Sequence, residues 1–410
     1  MKARFPDVRV LQVSNFYPPY WIGGYEQIAE WVAGGLRERG HEVAVLTGRG
    51  PAFAGRPEIH PDLDLDLASA RASYFTTGLV AENGLADGLR HHVFSRRNYG
   101  ACRRVMALVR PDIVSFWNPA FITLSPLVAA RLAGVPAVAH LSDTVANVFR
   151  NPHPPRFPER LRPAARRGVD LLLRGSRPRR FVVPSAFLRE KFVREEGLPA
   201  DRVEVLRWPV EPSVSRATPQ RRGGEGRRLI FVGTLIPEKG PEVLLAAFRE
   251  AVARDPALTL TLVGEGPEAY VLGLRRAAEG LPVRFAGRLD RAAVVEAYRG
   301  HDVLVFPSVW DEPFAVVPLE AMAMGLAVVA TAAGGTPEAI EDGRTGLLVP
   351  PRDVDALRDA LLRLCGDAAL TRSLAEAGQR FARETLGFAA FMDRLERLYE
   401  SVRAGQERVA

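Results

Sequence analysis

Residues 303–349 read VLVFPSVWDEPFAVVPLEAMAMGLAVVATAAGGTPEAIEDGRTGLLV. The run Val303 to Phe306 is short, apolar and β-branched, the composition of a buried strand. A loop carrying Asp311 and Glu312 follows, then a short helix. Pro318 fits its first turn, where a missing N–H costs nothing, and Gly325 fits its end. Ala327 to Thr331 reads as a second buried strand, after which Ala333-Gly334-Gly335-Thr336-Pro337 turns into another helix start with Glu338 in its first turn. Strand, loop and helix N-terminus, used twice, make two adjacent anion sites at one edge of a parallel sheet, because helix N-termini present unpaired N–H groups and a partial positive charge. Glu312 and Glu320 stand between them. A carboxylate repels phosphate but accepts two or more O–H bonds, so these two suit hydroxyl-rich groups. Phosphate donors beside hydroxyl acceptors point to a sugar nucleotide. Taken singly, Glu320 also has a plain reading as an acid favoured by the helix dipole, and Glu312 as a surface acid in an aromatic loop.

The stretch EPFAVVPLE, two glutamates with seven residues between them, followed by AMAMGLAVVAT and GGTPE, resembles the donor site of family 4 retaining glycosyltransferases. The resemblance extends over nearly the whole chain. It implies an α/β chain of the GT-B fold, two Rossmann-like doubly wound domains facing across a cleft. It also implies that Glu312 lies by the donor sugar and Glu320 holds the nucleotide ribose. Phe314, Ala315, Val316 and Gly335 fall among the donor-binding positions, the N–H groups near the last three serving the diphosphate.

Upstream of this stretch, LIFVGTLIPEKG opens at Leu229 with a strand ending at Gly233. Lys239 and Gly240 then begin a helix region. A compact ammonium at a helix start beside a glycine turn is placed to neutralise a leaving diphosphate. The resembled family usually has arginine directly after the glycine; here Thr234 stands there and removes one cation from the phosphate site. Leu258 to Val263 and Val283 to Arg288 are further strands, and the resemblance puts Gly287 and Arg288 near the nucleobase. Leu289 to Arg299, Asp353 to Leu364 and Ala369 to Thr385 read as helices. Phe388, Phe391, Leu395, Leu398 and Val402, three or four apart, mark an amphipathic terminal helix.

The N-terminal half opens as a βαβ unit: strand Val8 to Ser14, a loop ending in Gly23-Gly24, a helix from about Tyr25 to Arg39, and strand Val43 to Thr47. No third glycine completes a dinucleotide fingerprint. The resemblance has the Gly23-Gly24 backbone approach the donor phosphates from across the cleft; a plain tight turn is the alternative. Tyr17, Tyr20 and Trp21, with Trp117 further on, offer flat faces to an acceptor sugar or acyl chain, or are loop packing. DLDLDLA (62–68) alternates as an edge strand does. Asp112 to Trp117 and Val135 to Ala139 are strands with an apolar helix between them. His140, directly after the second, matches the family histidine that faces the donor sugar, whereas Ser115 and Trp117 stand where related enzymes often carry histidines. Strand-Pro-Ser occurs twice, at 181–185 and 304–308. Pro209 to Arg228 is the interdomain linker. The expected division is residues 1–210 and 211–386, with the helix over about 387–404 packing back on the first domain.

With 47% hydrophobic and 25% charged residues, the chain is of the ordinary globular class. No window approaches ~20 consecutive apolar residues, so no spanning helix is expected. Cys102 and Cys365 share no motif, and no spacing suggests a disulfide or metal site, which fits a reducing cytoplasm. Only Lys2, Lys191 and Lys239 are lysines among the 55 basic residues, so a retained lysine is informative. Ten arginines against Glu159 and Asp170 make Arg150 to Arg180 carry +8, more than the +7 of the whole chain. Such a patch suits an anionic membrane surface or a lipid-linked pyrophosphate, or is a solvated arginine-rich face; without interleaved aromatics it does not suit nucleic acid.

These readings converge on a cytoplasmic, metal-independent glycosyltransferase, peripheral at the inner face of the membrane. It would use no cofactor and move a hexosyl group from a nucleotide sugar to a glycan or lipid-linked acceptor in cell-envelope polysaccharide assembly. Glu312, Lys239 and His140 are its catalytic candidates. A sugar-nucleotide epimerase of the same fold and a non-catalytic nucleotide-sugar binding protein are the alternatives.

Overall fold

In the computed structural model, residues 7–21, 23–68, 94–117, 125–142, 178–216 and 226–405 are described. The chain forms two compact units, Met1–Leu206 with Met392–Ala410, and Arg207–Phe391.

The first unit contains β1 (Arg9–Ser14), α1 (Gly24–Glu38), β2 (Glu42–Arg49), β3 (Ile59–Asp66), α2 (Arg96–Val109), β4 (Ile113–Trp117), α3 (Ser125–Leu132), β5 (Ala137–His140), β6 (Arg180–Val183), α4 (Ala186–Glu196) and β7 (Val203–Val205). Its strands pair in the order β3-β2-β1-β4-β5-β6-β7, every pairing parallel. A parallel sheet is covered on both faces, so its strands are apolar runs rather than alternating ones. β1, β4 and β5 are accordingly buried at almost every position. β3, the alternating DLDLD segment, takes the edge.

The second unit contains α5 (Pro212–Arg216), β8 (Arg228–Val232), α6 (Pro241–Val252), β9 (Thr259–Val263), α7 (Glu268–Ala277), β10 (Val283–Gly287), α8 (Arg291–Arg299), β11 (Val303–Phe306), α9 (Val316–Ala323), β12 (Ala327–Thr331), β13 (Leu347–Val349), α10 (Val354–Gly366) and α11 (Ala368–Thr385). Its order is β10-β9-β8-β11-β12-β13, again all parallel. Trp208 and Val210 pack into its core, and the Val210 amide donates to the Leu386 carbonyl at 2.9 Å. The second unit therefore begins at Arg207, a little before the expected boundary.

The last helix, α12 (Phe388–Arg403), belongs to the first unit from Met392 onward. Arg39 reaches Asp393 at 2.7 Å and Glu396 at 2.8 Å. The His41 Nε2 lies 3.1 Å from Glu396, and Arg179 donates to the Val402 carbonyl at 2.7 Å, capping the helix end. No helix among the described residues is long and apolar enough to cross a membrane.

In both sheets the strand order reverses once, between β1 and β4 and between β8 and β11. Ligands of open α/β sheets bind beyond the carboxyl ends of the strands at such reversals. The candidate residues lie at these two places and at the ends of the strands beside them.

One expected element is different. The GGTPE segment forms only a single 3₁₀ turn, Thr336–Glu338, and the chain then passes through a turn closed by an Asp342–Gly346 bridge into β13. A three-residue turn has no aligned helix dipole, so only one of the two expected helix N-terminal anion sites exists.

Candidate active site

At the reversal in the second sheet, the turn after β8 and the loop after β11 are fitted together by backbone contacts. Gly240 has φ +66, and a Cβ there would lie 2.0 Å from the Pro307 carbonyl oxygen, so only glycine fits. The Val309 amide donates to the Glu238 carbonyl at 2.9 Å. This zipper brings Lys239 to Glu312, 73 residues apart in the chain: Lys239 Nζ stands 2.7 Å from Glu312 Oε1. The ammonium also lies 5.6 Å from the centre of the Trp310 ring, a cation–π distance. Glu312 is 4% exposed, and its buried charge is compensated by Lys239 and by the Ser308 hydroxyl, 2.5 Å from the same Oε1.

The loop holding Glu312 is fastened from the other side by the Gly334-Gly335 turn after β12. Gly334 has φ +57, and a Cβ on it would come within 2.5 Å of the Glu312 backbone. The Gly335 amide donates to the Glu312 carbonyl at 2.7 Å. This corrects the expectation that Gly335 offers its N–H to a diphosphate: that donor is used to hold the loop. The Val316 amide likewise donates to the Phe314 carbonyl at 3.1 Å, so this expected diphosphate donor is also used within the loop. Phe314 and Ala315 are buried in the core, so what they present to a ligand is backbone.

Glu320 lies in α9, 3% exposed, with its Oε1 2.5 Å from Arg291 Nη2. Tyr298 Oη donates to its Oε2 at 3.3 Å. Burial raises the Glu320 carboxyl above the usual carboxylate range, and Arg291 works against that rise. Arg291 is shared, because Glu211 also pairs with it closely. Sequence reading found neither Arg291 nor Glu211. They lie 29 and 109 residues before Glu320, in no motif, and only folding joins them. Ser308 was visible only as part of the repeated strand-Pro-Ser signature.

Gly233 and Thr234 follow β8, and both are half-buried. Gly287, at φ +69, accepts from the Gly264 amide at 2.9 Å, and Arg288 reaches Glu265 at 3.1 Å. The turns after β8, β9 and β10 thus lie side by side at one end of the sheet.

At the reversal in the first sheet, Gly23 caps α1, and its amide donates to Glu26 Oε2 at 3.0 Å. A Cβ on Gly24 would meet nothing within 4 Å, so internal packing does not require glycine there. Register pairs Trp117 on β4 with His140 on β5, and the two rings stack at 4.1 Å and 5°. Trp117 donates to Ser115 Oγ at 3.0 Å. The Tyr399 hydroxyl of α12 lies 2.7 Å from Ser115 Oγ and 3.3 Å from His140 Nε2. His140 is 5% exposed, and burial lowers its imidazole to about 3, so it is neutral at physiological pH. Two of the four aromatic faces expected for an acceptor are closed off: Trp117 is covered by His140, and Tyr17 is buried among Phe16, Val45 and Phe53. Tyr20 packs its edge on Phe53 but remains half-exposed, as does Trp21.

Of the Arg150–Arg180 segment, residues 150–177 lie outside the described residues. Arg179 caps α12, and Arg180 is buried.

A family model described as Glycosyl transferases group 1 matches residues 226–367, and one described as Glycosyltransferase Family 4 matches residues 22–214. A glycogen synthase of Mycobacterium tuberculosis is 28% identical over 392 residues, covering 91% of this chain and 90% of the relative. A phosphatidyl-myo-inositol mannosyltransferase of Mycolicibacterium smegmatis is 30% identical over 389 residues, covering 93% and 90%. Among solved structures, Anabaena HepE in complex with UDP-glucose matches with a TM-score of 0.70 at 20% identity, over 96% of this chain and 100% of that one. The two parallel-sheet units are those of the GT-B fold.

Proposed function

Since this chain belongs to the family 4, group 1 glycosyltransferases, we propose that it moves a hexosyl group from a nucleotide-diphosphate sugar to a glycan or lipid-linked acceptor, with retention of configuration and without a metal ion. The observation that carries this reading is the Lys239–Glu312 pair at the reversal of the second sheet. Breaking the bond between the anomeric carbon and the phosphate oxygen leaves negative charge on the diphosphate and positive charge on the sugar. Lys239, on a flexible stem with three donors, moves onto the departing diphosphate. Glu312 accepts from a sugar hydroxyl and favours the cationic ring. The acceptor oxygen bonds to the same face of the anomeric carbon, and its proton passes to the departing phosphate oxygen. Glu320, held by Arg291, accepts from the ribose hydroxyls. His140, neutral and buried, contributes a hydrogen-bonding group rather than a charge. Gly23, Gly24, Gly233 and Thr234 are proposed phosphate contacts, and Gly287 with Arg288 the nucleobase contacts.

Support for a glycan or lipid-linked acceptor comes from the relatives, one named for glycogen and one for phosphatidyl-myo-inositol; support for a nucleotide sugar comes from the neighbour solved with UDP-glucose. We further propose a cytoplasmic enzyme of cell-envelope glycan assembly, peripheral to the membrane.

The test is a panel of UDP-, GDP- and ADP-hexoses followed by melting temperature, which rises for a ligand bound only by the native state, and then by transfer to glycan and lipid acceptors. Transfer is expected with one of them, unchanged by chelator. Turnover of donor without acceptor would support an epimerase instead. Lys239→Ala is expected to keep the fold and lose about 10²–10³-fold in turnover, the usual cost of one electrostatic donor to developing charge. Near-normal turnover would remove Lys239 from the mechanism.

A further inference from the structure

The strand-Pro-Ser signature ends β6 and β11 alike, and both serines are fully buried. They do different work. Ser185 does what serine does most often before a helix: its Oγ accepts from the Leu188 amide at 3.1 Å and caps α4. Ser308 caps nothing, because α9 begins only at Val316 with Ala315 as its cap. Its hydroxyl lies 2.5 Å from Glu312 Oε1 and 3.1 Å from the Glu238 carbonyl oxygen. A hydroxyl has one proton, and the shorter contact, to a charged acceptor, takes it. The Ser308 carbonyl in turn accepts from Thr331 Oγ1 on β12 at 2.5 Å, so the backbone of the serine is fixed by the neighbouring strand.

We propose that Ser308 is a positioning residue for the transfer reaction: with Lys239 it pins Oε1 of Glu312 and turns Oε2 toward the donor sugar. Both bonds made by the Glu312 carboxylate among the described residues fall on Oε1. Two donors on one oxygen fix the plane of the carboxylate, where one would leave it free to rotate. The two are not equivalent during catalysis. Lys239 is on a flexible stem and is drawn to the diphosphate as charge develops there; Ser308 has a short side chain on a backbone held by Thr331 and stays. Its hydroxyl keeps Glu312 aligned at the moment its other partner leaves. The proposal rests on the role given to Glu312 above.

Ser308→Ala is expected to lower kcat at saturating donor about tenfold or more, the scale of one hydrogen bond to a charged group. Affinity for the free nucleoside diphosphate, which has no sugar for Glu312 to meet, is expected to stay within about twofold of wild type, the reading for an interaction made mainly in the transition state. In a Glu312→Gln background the same change is expected to add almost nothing, since residues acting as a unit are non-additive. Ser308→Thr and Ser308→Val have nearly the same shape and the same packing cost; the threonine should keep most turnover and the valine should not. Equal turnover of the Thr and Val variants overturns the proposal even if the alanine variant fails to fold, as does a Ser308→Ala loss that multiplies fully with that of Glu312→Gln. Should Glu312→Gln alone keep wild-type kcat, it is the role of Glu312 that has failed, and that of Ser308 with it. Should Glu312→Gln lose turnover while Ser308→Ala keeps it, only the Ser308 assignment falls.

Discussion

His140 combines two features that a histidine facing a substrate need not share: its ring is stacked on Trp117, and burial lowers its imidazole to about 3. An unfolded histidine titrates near 6.5. Below that value the unfolded chain takes up a proton at this position and the native chain does not, so stability falls as pH drops from about 6.5 toward 3 and is unaffected above. The slope from this group alone is about 1.4 kcal/mol per pH unit. His140→Gln is therefore expected to lose less stability than wild type on going from pH 7 to pH 5, by about 2 kcal/mol, read from urea unfolding followed on a first-unit signal. Equal losses in the two proteins would mean that His140 is protonated in the native state. In that case a cationic role toward the donor would be open to it. Trp117 makes the stack with His140, and Ser115 carries the hydrogen-bond line from Trp117 to Tyr399. The histidines that the resemblance leads one to expect at 115 and 117 are thus replaced by a packed cluster.

Between elements, the site depends on turns that hold the Glu312 loop. Gly334 and Gly343 lie in two turns flanking the Thr336–Glu338 turn, both with positive φ, +57 and +71. A Cβ on Gly343 would meet nothing within 4 Å, whereas one on Gly334 would strike the Glu312 backbone. Alanine at either is strained by about 1–2 kcal/mol in the left-handed region. Gly343→Ala is expected to lower the melting temperature with turnover kept. Gly334→Ala is expected to lower it further and to cut turnover about tenfold or more, because it moves the loop by tenths of an ångström or more and misplaced groups are costly in catalysis. Equal turnover in the two variants would separate the loop from the chemistry. These elements also show where the sequence was readable. β11 and β12 were bounded to the residue, because each is a short run, wholly apolar in β11 and apolar up to Thr331 in β12, between turn residues. α9 was set by Pro318 and by Gly325, which takes φ +86 just after it. The helix expected from GGTPE failed for a local reason: its start signals were present, but Gly343 and Gly346 follow too soon for an apolar stripe to form. The pairs Lys239–Glu312, Arg291–Glu320 and Arg291–Glu211 carry no local pattern at all. The residue types at the first were legible, but their contact was not, since it depends on which strands the sheet places together.

At the scale of the whole molecule, the two units share one plan, an all-parallel sheet with one reversal, but the charge is unequally distributed along the chain. Residues 150–180 carry +8 while the chain as a whole carries +7, so the rest is close to neutral. Arg179 and Arg180, at the end of that segment, are committed to the fold. The remaining eight arginines, at 150, 156, 160, 162, 166, 167, 174 and 177, lie outside the described residues, and the expectation for them rests on charge alone. Each basic group near an anionic bilayer contributes up to about 1 kcal/mol, decaying over a Debye length of about 10 Å at 0.1 M salt and about 30 Å at 0.01 M. The purified protein is therefore expected to sediment with vesicles containing phosphatidylserine or phosphatidylglycerol at low salt and to be released as salt rises. Replacing Arg156, Arg160, Arg162, Arg166 and Arg167 together with glutamine should weaken that binding by up to three or four orders of magnitude, about 5 kcal/mol, while turnover on a water-soluble acceptor is kept. Binding to neutral vesicles as strong as to anionic ones would mean an apolar rather than electrostatic attachment. No binding to either would return these arginines to a solvated surface and leave a lipid-linked acceptor, if one is used, to be recruited by the active site alone.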